Sequence, residues 1–179
     1  MEAAIEKAHR FIPLILLVLV VAGLVWRLAT PADTAVDSKL EGKPIPSFAL
    51  KPAVSGKPSL ASSDLAGRGP RLVNIFASWC VPCITEAKVL AQLKARGVKI
   101  DGIAVRDRPE DVARFLGRHG DPYERMGSDP RSRVQIALGS SGVPESFIVD
   151  SRGIIRYQHI GPIEAGDIPV ILGKLEQSR

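Results

Sequence analysis

The two cysteines of this 179-residue chain, Cys80 and Cys83, stand two residues apart in "NIFASWCVPCITEAKVL", residues 74–90. A pair at this spacing suits one of three jobs: thiol–disulfide exchange, ligation of a metal or haem, or a structural crosslink. Covalent haem attachment requires a histidine directly after the second cysteine, and Ile84 stands there. A structural zinc site wants four ligands. The chain has two cysteines and three histidines, and His9 lies ahead of a long apolar run, so no metal is expected. A purely structural disulfide closing so short a loop constrains the unfolded chain very little. Reversible exchange is the favoured reading, and its weight comes from what surrounds the pair.

"RLVNIFAS", residues 71–78, is a compact apolar run with β-branched members, read as a buried strand. A helix follows from Pro82 to Arg96, with Ala87, Leu90, Ala91 and Leu93 at helical spacing and Gly97 as its stop. The cysteines thus fall at a helix N-terminus, where partial positive charge and unpaired N–H groups stabilise a thiolate. Cys80, at the more exposed position, is the expected nucleophile. Cys83, about one turn in, then attacks the mixed disulfide and releases the partner. Glu86 lies three residues after Cys83, so one turn carries its carboxylate to the same side. It is the candidate acid/base and field source, since a nearby negative charge raises a thiol pKa. Trp79 is expected to cover the disulfide and add partner surface. Pro144, about sixty residues on in "SSGVPESFIVD", directly precedes a strand.

The elements that position these residues follow from pattern. "KPIPSFAL" suits an edge segment, and "GKPSLASSDLAGRGP" reads as a loop with a short helical turn. "VKIDGIAV" is a strand and "RPEDVARFLGRHG" a helix; "DPYERMGSDPRSRVQIAL" is a loop entering a short helix. "ESFIVD" and "IIRYQHI" are strands joined by "SRG". Ile163 to Gln177 reads as a terminal helix interrupted by Pro169. The order strand–helix–strand–helix–strand–strand–helix predicts an α/β fold, a mixed sheet with helices on both faces. His119 and His159 are assigned no chemistry.

Composition is globular, 45% apolar and 24% charged with a net charge of +5. No basic run with interleaved aromatics suggests nucleic-acid binding. "FIPLILLVLVVAGLVW", residues 11–26, contains no charge. Arg27 can snorkel to headgroups and extend the run to Ala29. We read it as an uncleaved transmembrane anchor, with Pro13 in its first turn, because "RLATPADTA" offers no good cleavage pattern. Lys7 and Arg10 favour a cytoplasmic N-terminus. The expected organisation is residues 1–10 cytoplasmic, 11–29 anchor, 30–42 linker and 43–179 the folded domain, exported.

"FASWCVPC" with the later "GVPESFIVD" resembles the thioredoxin superfamily. The anchor followed in order by "GKPIPSFAL", "LVNIFASWCVPCITE", "HGDPYERMGSDP" and "GVPESFIVDSRGIIRYQHIG" resembles the cytochrome c maturation thiol–disulfide interchange proteins of the CcmG/DsbE type. The resemblance implies a thioredoxin-like domain in which Val143–Pro144 is cis, Pro144 lies against the disulfide, and the Val143 backbone pairs with a bound substrate strand. It makes Cys80, Cys83, Glu86 and Pro144 the catalytic candidates, and Trp79, Val81, Pro82, Val143 and Glu145 the substrate-binding ones. Asn74 falls where thioredoxins commonly carry a proton-accepting aspartate, a role that Glu86 would take over. Ser140-Ser141 departs from a Val-Tyr pair frequent in the family, which removes one tyrosine contact near the site.

The implied function is that of a single-pass inner-membrane protein with its catalytic domain in the periplasm. It would reduce disulfides of apocytochrome c or of a haem-ligation partner, and be re-reduced by a transmembrane electron donor. No cofactor is implied beyond the redox-active Cys80–Cys83 pair. Two other readings stay open: a broader exported reductase, for instance for copper-site assembly proteins, and a redox-dependent binding or chaperone module.

Overall fold

The computed structural model describes residues 2–29 and 40–179, and in the first helix the side chains of residues 12–27. The chain divides into two units, Met1–Val36 and Asp37–Arg179. The first contains helix α1, Glu2–Ala29. It begins well before the apolar run, so Pro13 lies in the helix interior and not in its first turn. Every described side chain of α1 is exposed, from Ile12 through Trp26 and Arg27. Among the described residues, no helix is long and apolar enough to cross a membrane. Most of the expected linker, residues 30–39, lies outside the described residues. Its last residues belong to the folded unit: Gly42 N–H donates to the Ile155 carbonyl at 2.8 Å.

The second unit is built on a five-stranded sheet. In chain order its strands are β3 (Arg71–Phe76), β4 (Ile100–Val105), β5 (Met126–Asp129), β6 (Glu145–Val149) and β7 (Ile155–Ile160), following a small hairpin of β1 (Ala49–Leu50) and β2 (Leu60–Ala61). The spatial order is β5-β4-β3-β6-β7. β4 runs parallel to β3 and β5, whereas β6 runs antiparallel to β3 and β7. Every residue of β3, β4 and β6 is buried. Strands buried on both alternating faces require cover on both sides. The helices are α2 (Val81–Ala95), α3 (Pro109–His119), α4 (Arg133–Ala137) and α5 (Ile168–Gln177).

Two features differ from the sequence reading. "MGSD" in the expected loop forms strand β5, although none of its residues is β-branched or aromatic. Its place is set by tertiary packing. Ser128 N–H donates to the Lys51 carbonyl at 2.8 Å, covering the outer edge. A side chain at Gly127 would put its Cβ 2.7 Å from Leu50, so glycine here makes room for the β1–β2 hairpin. The terminal helix starts at Ile168, which puts Pro169 in its first turn. There proline costs no intrahelical bond, so Pro169 opens the helix where it was expected to interrupt it.

One polar cluster lies in the sheet interior. Arg71 Nε donates to Asp101 at 2.5 Å, and its Nη2 reaches Glu124 at 2.7 Å. One buried guanidinium thus ties β3 to the fully buried Asp101 carboxylate of neighbouring β4 and reaches outward to the exposed Glu124, so that neither buried charge is left unpaired.

Candidate active site

The carboxyl end of β3 delivers the cysteines. Between β3 and α2 the turn is pinned by Asp107, which follows β4: the Ser78 N–H and hydroxyl donate to its two carboxylate oxygens at 2.6 and 2.7 Å. Cys80 is the N-cap of α2, and its Sγ accepts the Cys83 N–H at 3.3 Å. Pro82 is in the first turn, where its missing N–H breaks no bond. Cys80 and Cys83 form a disulfide with Cα atoms 5.3 Å apart. The arrangement favours a thiolate at Cys80 once the disulfide opens. Both cysteines are buried, at 4% and 2% exposure. What protrudes around them is apolar: Trp79 is 57% and Val81 70% exposed. The Trp79 indole N–H donates to the Arg106 carbonyl at 3.3 Å. Arg106 has φ 49°, a left-handed conformation unusual for arginine, and its guanidinium donates to the Ser132 hydroxyl at 2.9 Å.

The second wall is the loop before β6. Val143–Pro144 is cis. The Val143 carbonyl oxygen lies 3.5 Å from Cys80 Sγ. In the disulfide this sulfur has no proton, so the contact is a close approach; a reduced Cys80 thiol could donate there. Several polar groups hold the loop. Asp129 accepts the N–H groups of Arg133, Val134 and Gln135 at 2.9–3.0 Å, which fixes the start of α4. Gln135 Nε2 and the Ser140 hydroxyl both donate to the Gly142 carbonyl. Glu145 accepts the Ser141 N–H at 3.0 Å and the Gln158 amide. Glu145, a substrate-binding candidate, is therefore placed inside, 1% exposed. It is the first residue of a central strand, between Ile75 and Ile160, and its carboxylate braces the loop. Val143 is half-buried and Pro82 exposed.

Glu86 sits one turn beyond Cys83 on α2 and is 1% exposed. Its Oε1 accepts the Ile163 N–H at 3.0 Å and its Oε2 accepts Asn74 Nδ2 at 3.1 Å. Burial pushes its pKa up from 4.5 to about 7, and the two hydrogen bonds oppose that rise. Asn74 Nδ2 also donates to Ser146 Oγ at 3.0 Å, across the β3–β6 register. The Asn74 carbonyl oxygen accepts the Tyr123 hydroxyl at 2.8 Å. A continuous polar chain thus runs Tyr123–Asn74–Glu86 through the interior, ending one helical turn from Cys83.

The structure brings the Val143 carbonyl, next to cis Pro144, to Cys80 Sγ, with Trp79 preceding the pair in the chain and Val81 and Pro82 between its two cysteines, and it holds Glu86, one turn on from Cys83, against Asn74 and the Ile163 N–H. Sequence reasoning missed Asp107, Ser146 and the Ile163 N–H, which come from distant elements. Tyr123 was visible only within the "DPY" segment, with no sign that it would turn inward. His159 lies against the Pro162 carbonyl at 3.3 Å, and the His119 ring meets Phe115 at a tilt, with centroids 5.1 Å apart. Among the described residues, no group of three or more His, Cys, Asp or Glu side chains could hold a metal ion.

Comparison with known proteins agrees with this geometry. Residues 40–175 match the Redoxin family. The chain is 35% identical over 157 residues to the thiol:disulfide interchange protein DsbE of Escherichia coli K12, covering 85% of this chain and 84% of that one. It is 37% identical over 163 residues to the DsbE homologue of Paracoccus denitrificans, covering 88% and 90%. A crystal structure of a Chlorobium tepidum protein assigned as DsbE superposes with a TM-score of 0.62 at 26% identity, over 77% of this chain and 96% of that one. The chain belongs to the Redoxin family and, within it, to the DsbE-type thiol:disulfide interchange proteins, with a thioredoxin-like fold.

Proposed function

We propose that this Redoxin-family chain is a membrane-anchored periplasmic reductant that opens disulfides in cytochrome c maturation, in apocytochrome c or a haem-ligation partner. Cys80, at the head of α2, attacks one sulfur of the partner disulfide as a thiolate; a Cys80–partner mixed disulfide forms, the partner S–S bond breaks, and the partner's other sulfur leaves as a thiolate that solvent protonates. Trp79, Val81 and Pro82 supply the apolar contact surface, and the Val143 backbone, beside Pro144, receives the partner strand. Cys83 gives its proton to Glu86 and, as a thiolate, attacks Cys80 Sγ. The Cys80–partner bond breaks, the partner leaves as a thiolate that solvent protonates, and the Cys80–Cys83 disulfide is left for an upstream transmembrane donor to reduce.

The observation that carries the reductant direction is Glu86, a carboxylate buried behind the disulfide and held by neutral donors alone, Asn74 and the Ile163 N–H. A strong oxidant needs its reduced form stabilised by easily formed thiolate. A negative charge beside Cys83 opposes that. The test is the reduction potential of the pair. A value toward the thioredoxin end, about −270 mV, supports the reading, and a value near −120 mV refutes it.

The anchor reading rests on the uncharged run of residues 11–26 lying within one unbroken helix, Glu2–Ala29; at about 1.5 Å per residue, residues 11–29 reach about 28 Å, close to the hydrocarbon thickness of a bilayer. Retention of the full-length chain in alkali-washed membranes is the expected result; release of a shortened chain would overturn it.

A further inference from the structure

The Asn74 amide has two orientations of nearly identical shape, and the structure holds one of them. Nδ2 spends its two protons on Glu86 Oε2 and Ser146 Oγ, at 3.1 and 3.0 Å. Oδ1 receives the Tyr123 hydroxyl at 2.8 Å. Ser146, as a hydroxyl, can donate or accept and does not choose between the two orientations. The Tyr123 phenol does. It is 2% exposed, and burial raises its pKa well above 10, so it keeps its proton at any working pH. Turned over, the amide would present N–H groups to the phenolic proton and a carbonyl oxygen to the Glu86 carboxylate.

The ring of Tyr123 is held so that its hydroxyl cannot drift. Phe76 stacks on it with centroids 4.9 Å apart and planes 15° apart. On β4, Gly102 leaves space that a Cβ would close to 2.9 Å. The main chain on either side is tied down as well: the Tyr123 N–H donates to Asp121 at 3.1 Å, and its carbonyl accepts from Lys57 Nζ.

We propose that Tyr123 is a positioning residue of the redox centre: its hydroxyl locks the Asn74 amide as a donor to Glu86, and so keeps Glu86 a carboxylate able to take the Cys83 proton. The proton-taking role of Glu86 rests on the function proposed above; the lock on its amide neighbour does not. The groups facing Glu86 are few. β3 and β6 present Asn74 and Ser146, which do not titrate, and the loop after β7 presents the Ile163 N–H. Cys83 lies on its own helix, and Tyr123 is the ionisable group whose own pKa responds to the Glu86 charge.

The experiment follows Glu86 by carboxyl-carbon NMR through a pH titration of the oxidised full chain in detergent micelles. Tyr123→Phe removes the lock, and a freed amide facing Glu86 with its oxygen favours the protonated acid. The expected result is a Glu86 midpoint higher by about one pH unit, the scale of losing one donor to a charged group. In Asn74→Leu the donor is already gone, so adding Tyr123→Phe should shift Glu86 no further. A midpoint that stays in place while only the melting temperature falls would overturn the proposal, as would an equal added shift in the Asn74→Leu background. The unsubstituted protein gives a reading that needs no variant: nuclear Overhauser contacts should join the Asn74 Nδ2 protons to Glu86 and Ser146, and contacts to the Tyr123 ring instead would overturn it. Separately, Glu86→Gln leaving the Cys83 titration of the reduced protein unmoved would sink the proton-taking role and leave the Tyr123 lock standing.

Discussion

Glu86→Gln should remove a definite share of the pH dependence of stability. In the folded chain the carboxyl titrates at about 7 because burial penalises its charged form, against an ordinary value of 4.5. Between those two values the folded protein holds a proton that the unfolded chain has released. Stability therefore falls as pH rises through this window: the contribution is fully present below about 4.5 and lost above about 7. At about 1.4 kcal/mol per pH unit, the loss across the window is about 3 kcal/mol. Glutamine keeps the shape of the side chain and does not ionise, so its curve lacks this slope. The assay is urea unfolding of the oxidised full chain in micelles, wild type and variant side by side, from about pH 4 to about pH 8. Oxidation keeps the cysteines from titrating. Asp150 and Glu124, whose pKa values are lowered by hydrogen bonds and ion pairs that oppose their burial, titrate alike in both proteins and cancel. The wild type should lose about 3 kcal/mol relative to the variant over that range; a difference that changes by less than about 0.5 kcal/mol would refute the burial argument.

Arg71→Met should destabilise the domain by about 3–5 kcal/mol in urea unfolding, because Asp101, fully buried, then loses its guanidinium partner. Gly102→Ala should cost about 1–3 kcal/mol in the same assay by pressing a Cβ against the Tyr123 ring. Because alanine otherwise favours a strand over glycine, a gain in stability there would show that the ring is free to move. The same substitution should raise the Glu86 midpoint in the NMR titration, since it displaces the Tyr123 hydroxyl from Asn74.

The chemistry was legible along the chain because its parts are local. Trp79, Cys80, Pro82, Cys83 and Glu86 lie within eight residues of one another at a strand–helix junction, and helical spacing alone carries Glu86 to the side of Cys83. The apolar runs of β3, β4, β6 and β7 and the stops at Gly97 and Gly120 were readable for the same reason: each depends on neighbours in sequence. Strand β5 was not, because Met126-Gly127-Ser128-Asp129 becomes a strand only when β4 and the Lys51 segment offer it hydrogen bonds. Nor did spacing reveal that Glu145 points inward, since that depends on Gln158 from β7. The environment of Glu86 is tertiary throughout: its partners Asn74, Ile163 and, one step away, Tyr123 lie 12, 77 and 37 residues from it. Sequence determined that two thiols and a carboxylate would share one helix face. Folding alone decided that the carboxylate would be dry, because only packed strands and a distant loop exclude water, and exclusion of water pushes its pKa up from 4.5 to about 7.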